Sequence, residues 1–535
     1  MAEDVVDVLI IGAGASGAAA AWSLADTRMR IVCLEQGDWM HQADYPSNKR
    51  NWEVLRQSEM AISPNYRDRS ADYPINDEAN SPISVANFNA VGGSTILYSA
   101  HFPRMHPSDF RVKTLDGVAD DWPIDYETLE PYYRENDRNI GVSGLDGDPA
   151  YPHKELPLPP IPMGEMGNVI GRAFNKLGWH WWPSDVAIIS EAYEGRDKCV
   201  NLGPCNSGCA QGAKSSADVT YWPAAIRKGV ELRTNCRVRE ITVGPDGMAT
   251  GAIYFDEHGN EVMQRAEVVI VACNGVGTPR LLLNSASSQF PDGLANSSGL
   301  VGKNLMFHPW GAVEGFFEPG LDSHLGPQGC CLLSQQFYES ASNDTVRGFG
   351  LQVTRGAAPV ATALGGTRRG DIPWGEGHHD AFRKFYGTNV SCGVCVEDLP
   401  EEHNTVTLDP DLKDSDGIPA PRIDYTLSEN SRKLLDKGCQ AGVDLMEAAG
   451  AWKVNNYGGP IRMAGWHLLG TARMGSDPER SVVNEWGRSH DVKNLFIVDG
   501  SLWVTSAAGN PTTSIQALAL YIADKMKQTL ANLFD

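Results

Sequence analysis

The pattern of apolar and polar positions changes style several times along the chain. Residues 7–11 (D-V-L-I-I) form a short apolar run, followed at once by Gly12-Ala13-Gly14-Ala15-Ser16-Gly17 and an Ala-rich helical stretch over 18–25. Strand, glycine turn and helix come in that order, and a second strand over 30–34 ends in Glu35. Gly92-Gly93-Ser94-Thr95 makes another glycine turn between apolar segments, which taken alone reads as a loop hinge. From Trp122 to about Pro183 regular periodicity fades into a stretch rich in Trp and Pro, whose aromatics are expected to pack or to line a pocket for a polar ring. Short strands return over 230–241 and 251–254, and A-E-V-V-I-V-A-C-N-G leads through a turn into a helix expected to open at Thr278. Residues 309–462 alternate in strand fashion, with turn signals such as D-S-D-G and P-A-P. N-L-F-I-V-D-G then returns to the style of a parallel sheet, and Asn510-Pro511 opens a helix whose Ile515, Leu518, Ile522 and Met526 are expected to bury one face.

This order predicts an α/β chain, α+β overall, in which an antiparallel region is inserted into a discontinuous dinucleotide-binding domain. The expected division assigns 1–45, 80–110, 215–308 and 463–535 to the cofactor domain, and 46–79, 111–214 and 309–462 to the substrate domain and insertions. In the first turn Gly12 permits the tight bend, Gly14 lets backbone approach a pyrophosphate, and Gly17 allows close helix packing. The helix N-terminus at Ala15 and Ser16 supplies unpaired N–H groups to phosphates. Glu35 is placed to accept hydrogen bonds from an adenosine ribose and would repel a 2′-phosphate, which favours FAD or NAD over NADP. The fingerprint occurs once, so the substrate itself rather than NAD(P)H is expected to donate the electrons.

Length and charge narrow the class. A chain of 535 residues with 42% hydrophobic content has core material for about two or three domains. A net charge of −22 opposes binding to nucleic acid or to anionic membranes. The longest apolar runs, such as 268–273, fall far short of a membrane span. The first strand begins within a few residues of the start, leaving no room for a signal segment. A cytoplasmic location is therefore expected, with periplasmic co-export beside a partner as the alternative. Eleven cysteines in a chain of this size do not make a disulfide scaffold, and a reducing compartment would keep them as thiols.

The densest chemistry lies near the end. W-H-L-L-G-T-A-R-M-G, N-L-F-I-V-D-G-S and G-N-P-T-T-S-I-Q set His467 and Asn510 at two sharp turns, each beside a Gly or Pro breaker. Together with D-V-L-I-I-G-A-G-A-S-G and V-G-G-S-T-I-L-Y-S-A, these blocks span the chain and resemble the glucose-methanol-choline (GMC) oxidoreductases, flavoproteins that oxidise alcohols. The resemblance implies an FAD domain of the glutathione-reductase type with an antiparallel substrate domain. It matches His467 to the family's catalytic histidine, and Asn510 to a second position that is His or Asn in that family. It implies flavin contacts from Gly92, Gly93, Ser94, Val238, Asp499, Gly500, Pro511 and Thr512, with Thr513 also beside the ring. Ile96 and Leu97 stand where some members attach FAD through a histidine, and His101 lies too far along, so the resemblance implies non-covalent FAD.

Alcohol oxidation requires a proton to leave the hydroxyl while hydride leaves carbon for flavin N5. His467 suits the base, because an imidazole titrates near working pH, and the Asn510 amide can hold the hydroxyl in line. The helix opening at Pro511 directs its positive end at whatever Asn510 touches, which favours an anionic reduced flavin. His308, just before a proline in a turn, is expected to be structural.

Cys199, Cys205 and Cys209 lie in one glycine-rich loop, with five and then three residues between them. Two readings stand. The spacing is similar to that of a three-iron cluster in bacterial FAD-dependent sugar dehydrogenases. Alternatively these are loop thiols, and C-A-Q-G-A-K-S-S shapes the flavin domain. Cys392 and Cys395 form a C-x-x-C inside an alternating strand, so they point to opposite faces and belong to the core. Within the family, similarity to the glucoside 3-dehydrogenase and pyranose-oxidising branch points to a sugar, glycoside or other polar cyclic alcohol. A lignin-type aromatic alcohol, or a lyase of the hydroxynitrile lyase type on the same fold, is the alternative. The electron acceptor is oxygen, a quinone or a partner subunit, with a dehydrogenase favoured over an oxidase.

Overall fold

The computed structural model describes residues 4–529 apart from Ala341. Its first strand, Val5–Ile11, pairs in parallel with Ile31–Leu34 on one side and with Glu261–Val271 on the other. Val8 to Ile11 are covered on both faces, and a strand so placed needs the unbroken apolar run that the sequence shows. Glu231–Arg233 extends the sheet beyond Ile31–Leu34.

Glu261–Val271 does two jobs, and its sequence has two periods. Its first half pairs antiparallel with Ala249–Phe255, itself paired to Arg237–Val243, and there burial alternates along the strand. Its second half lies parallel between Val5–Ile11 and Leu495–Ile497, and there every residue is buried. Half-solvated hairpins alternate, while strands covered by helices do not.

The helix after the glycine turn, Ala15–Leu24, is built of small residues and packs against Tyr221–Arg227 and against the last helix, Thr512–Thr529. A one-faced burial of Thr512–Thr529 is not what forms. Ala517, Leu518, Ala519, Leu520, Tyr521, Ile522 and Ala523 are all buried, because Ala15–Leu24 and Tyr126–Ile140 both pack on this helix. Ile515, expected in the buried face, is only partly covered. The helix expected at Thr278 starts earlier, as Asn274–Asn284, with Pro279 inside it.

The second sheet is wholly antiparallel, in the order Lys453–Gly458, Trp310–Phe316, Asn389–Val396, Phe349–Thr354, Cys330–Phe337 and Trp182–Pro183. Helices Glu429–Ala448 and Gly164–Leu177 pack on it and on each other. Cys392 and Cys395 are buried in its central strand. In the Trp- and Pro-rich stretch Trp122 packs, buried between Phe110 and Trp503. No helix among the described residues is long and apolar enough to cross a membrane.

Gly17 tests the packing of the first turn. A Cβ there would fall 2.0 Å from the carbonyl oxygen of Gly12, a backbone atom that cannot swing away. Alanine normally gains about 1 kcal/mol over glycine in a helix, but overpacking against fixed atoms costs about 1–3 kcal/mol or more. Gly17→Ala is expected to lower stability in chemical denaturation; an unchanged or raised midpoint would refute this packing.

Candidate active site

A cavity of about 360 Å³ opens where the strand ends of the first sheet meet the loops that lead to the second. Its wall includes Gly12, Gly14, Ala15 and Ser16 of the first turn, and Glu35 at the end of the neighbouring strand. Gly12 takes φ +102°, and a Cβ on it would strike the Ala272 carbonyl. Gly14 has nothing within 4 Å of where its Cβ would stand, and it opens helix Ala15–Leu24 without a side-chain cap. The helix therefore presents uncapped N–H groups to open space, as an anion cradle requires.

The Glu35 carboxylate accepts from the backbone N–H of Ala13 at 2.8 Å and of Gly37 at 2.8 Å, tying the glycine turn to the second strand. Burial raises it to about 7 against these hydrogen bonds. Gly93, Ser94 and Val238 also line the cavity. Gly17 and Gly92 stand behind the wall: Gly92 donates its N–H to the Ala13 carbonyl at 2.9 Å, which locks the two glycine turns together.

The far wall is made by the C-terminal segment, where Asp499, Gly500, Pro511 and Thr512 line the cavity, while Thr513 is buried away from it. The Asp499 carboxylate accepts from Asn274 N–H at 3.0 Å, Thr278 Oγ1 at 2.6 Å and Ser501 N–H at 2.8 Å. It thus pins the start of helix Asn274–Asn284 to the turn that carries Gly500. A Cβ on Gly500 would meet the Leu468 carbonyl at 2.6 Å, so this turn lies directly against the segment bearing His467.

His467 and Asn510 meet at this end, with Asn510 Nδ2 3.4 Å from His467 Nε2. The Asn510 carbonyl oxygen accepts from Gln352 Nε2 at 2.7 Å, so its amide group faces the imidazole. Behind His467 lies His308, the two Nδ1 atoms 2.7 Å apart. His308 Nε2 in turn sits 3.0 Å from the Ser506 carbonyl and 2.9 Å from that of Ala507. Burial, then the neighbouring His308 and His101, holds His467 well below the usual imidazole range. His308 is lowered by burial to about 4 and His101 to about 3. His101 and Trp466 share the cavity wall.

Two family models of GMC oxidoreductases match this chain, one over residues 6–310 and the other over 400–519. A 2-methyl-1,2-propanediol dehydrogenase of Mycolicibacterium austroafricanum is 42% identical over 99% of this chain and 97% of that protein. The chain belongs to the GMC oxidoreductase family. The large subunit of fructose dehydrogenase from Gluconobacter japonicus is 28% identical over 98% of each chain. The fold is shared with formate oxidase of Aspergillus oryzae, at a TM-score of 0.66 and 15% identity over 99% of both chains.

The cavity of this GMC chain fits FAD on its own chemistry: an uncapped helix N-terminus facing open space beside Gly14, and a carboxylate at the end of the second strand. The three cysteines of the glycine-rich loop do not show an equivalent fit. Among the described residues no three His, Cys, Asp or Glu side chains are placed to hold a metal ion. Cys199, Cys205 and Cys209 form no disulfide, and burial raises Cys199 to about 11 and pushes Cys205 up as well. The loop is organised by Lys214 instead, whose buried ammonium donates to the Cys205 carbonyl at 2.8 Å and the Tyr98 carbonyl at 3.1 Å. Asn206 of that loop lines the cavity.

Two side chains escaped the sequence reading. His308 was expected to be structural; it touches His467. Gln352, which aims Asn510, lies in an alternating strand with no motif around it. The Trp-rich stretch 122–183 contributes no residue to the cavity wall among the described residues, so its aromatics lend no support to a sugar-stacking surface.

Glu35→Ala is expected to weaken FAD retention by about 10- to 100-fold, since it removes a buried acceptor serving two backbone donors at the cradle. Titration of the stripped protein with FAD checks this, and undiminished affinity would exclude Glu35 from the cofactor site.

Proposed function

We propose that this chain oxidises the CH–OH group of a small polyhydroxy compound to a carbonyl with non-covalent FAD, His467 acting as base and Asn510 as the orienting group. The observation that carries the reading is the pair itself: a buried imidazole nitrogen and a carboxamide 3.4 Å apart on the wall of a cavity whose other end is a dinucleotide cradle. When bound, FAD would supply the hydride acceptor. His467 Nε2 takes the hydroxyl proton, and the Asn510 amide, fixed by Gln352, donates to the same oxygen and limits its rotation. The uncapped helix start at Ala15 and the positive end of Thr512–Thr529 would hold negative charge in place. Asn510 cannot accept the proton, so the two roles do not interchange.

The substrate class narrows to polyols, from vicinal diols to sugars, on the named activities of the relatives; support from the aromatic stretch has gone. The dehydrogenase assignment is supported by the diol dehydrogenase at 42% identity, with a quinone or a partner subunit as acceptor in place of oxygen. Anaerobic stopped-flow mixing with a panel of 1,2-diols and sugars, followed by oxygen or a quinone, tests both choices. A flavin that no alcohol reduces would overturn the reading.

His467→Ala is expected to keep FAD and to lose about 10²- to 10⁴-fold in the rate of flavin reduction. Because burial holds His467 below its ordinary 6.5, it is already the free base at neutral pH. The wild-type rate should therefore stay level from about pH 8 down to about 6.5 and fall only at lower pH, as protonation removes the base. A fall already complete above about 6.5 would count against a buried neutral imidazole. Iron and acid-labile sulfide assays on purified protein are expected to find neither, and a stoichiometric cluster would reverse the reading of Cys199, Cys205 and Cys209 as thiols.

A further inference from the structure

The hydrogen bonds around His467 have a direction, and one group decides it. A carbonyl oxygen only accepts, so with Ser506 and Ala507 carbonyls at 3.0 and 2.9 Å, His308 Nε2 must carry a proton. Burial keeps the His308 imidazole neutral near pH 7, so that is its single ring proton. Its Nδ1 is then a bare acceptor, and it stands 2.7 Å from His467 Nδ1. Two bare nitrogens at that distance would repel. The proton between them must belong to His467, which leaves His467 Nε2 as a lone pair.

The remaining partners agree with this polarity. Asn510 receives a hydrogen bond at its oxygen from Gln352 and turns its N–H groups toward His467 Nε2, which can accept only if it is bare. The reversed chain, with both amides flipped and a proton on His467 Nε2, would satisfy Gln352 and Asn510 equally well. It fails only at His308, where two unprotonated nitrogens would face one another.

We propose that His308 is a positioning residue that sets the tautomer of His467, so that the lone pair of Nε2, rather than a proton, is presented to the alcohol. The inference rests on His467 being the base and adds what makes it one. The carbonyls that anchor His308 are themselves fixed: Ser506 Oγ and the Asp398 backbone exchange hydrogen bonds at 2.8 Å in each direction. Thr505 Oγ1 donates to the Asp109 carbonyl at 3.0 Å. The loop that delivers Asn510 to the site therefore also delivers the acceptors that hold His308.

The test compares FAD-loaded wild type with His308→Leu, His308→Asn and His467→Ala. Leucine removes the acceptor facing His467 Nδ1; asparagine offers a carbonyl oxygen there. In a serine protease, the wrong tautomer of the catalytic histidine lowers kcat by about 10⁴. His308→Leu is expected to slow flavin reduction by about a hundredfold or more with substrate affinity changed less than about threefold, and His308→Asn to recover to within about tenfold of wild type. Nitrogen NMR of histidine-labelled wild type, with the His467 signal assigned by its loss in His467→Ala, should show Nδ1 protonated and Nε2 bare. A protonated Nε2 on His467 overturns the inference whether or not the variants fold. So does a His308→Leu enzyme as fast as wild type while His467→Ala is impaired. Full activity in His467→Ala would instead remove the base assignment itself.

Discussion

Two backbone hydrogen bonds between Met306 and Leu469, at 3.0 and 3.2 Å, hold the site together. They clamp the segment leaving for the second sheet, just before Trp310–Phe316, against the segment returning from it. The pairing is antiparallel, so two residues further along His308 comes opposite His467. Once opposed, the two rings cover one another, and their loss of water depresses both basicities. The electrostatics of the site follow from that register, and a slip of one residue would turn a ring to the other face.

The cavity divides its tasks between two scaffolds. Strand ends and helix starts around the first sheet provide a rigid cradle suited to a dinucleotide. The second sheet reaches in with Gln352, and the loop before it with His308. The reacting atoms would meet at the seam, where His467 and Asn510 stand. Gln352 thus acts on the site through Asn510, without touching the cradle.

What could be read from the sequence was what short-range backbone geometry dictates. The turn at Gly12 to Gly17, the acidic end of the second strand, and the breakers beside His467 and Asn510 announce themselves within a few residues. The alternation between parallel and antiparallel strand styles gave the fold class. What could not be read depends on partners far away in the chain. His308 lies 159 positions from His467 and Gln352 lies 158 from Asn510, and only the tertiary fold brings either pair into contact. The last helix misled for a related reason. Its many alanines look weakly polar in a pattern count, yet they are the residues that let two neighbouring helices approach from both sides. The loop cysteines show the limit of spacing: five and then three intervening residues suit a cluster or loop thiols alike, and what the fold adds there is a buried Lys214 that gathers backbone carbonyls.

The strand Glu261–Val271, with its two periods, has a consequence for how the molecule is made on the ribosome. Its second half keeps a bare edge until Leu495–Ile497 emerges, and helix Ala15–Leu24 waits for Thr512–Thr529 to cover it. All the residues between these elements must leave the exit tunnel before the first sheet and its helices are complete. A chain emerging in this order carries an open β-edge and an uncovered alanine surface until those late elements arrive, which are the surfaces a chaperone holds.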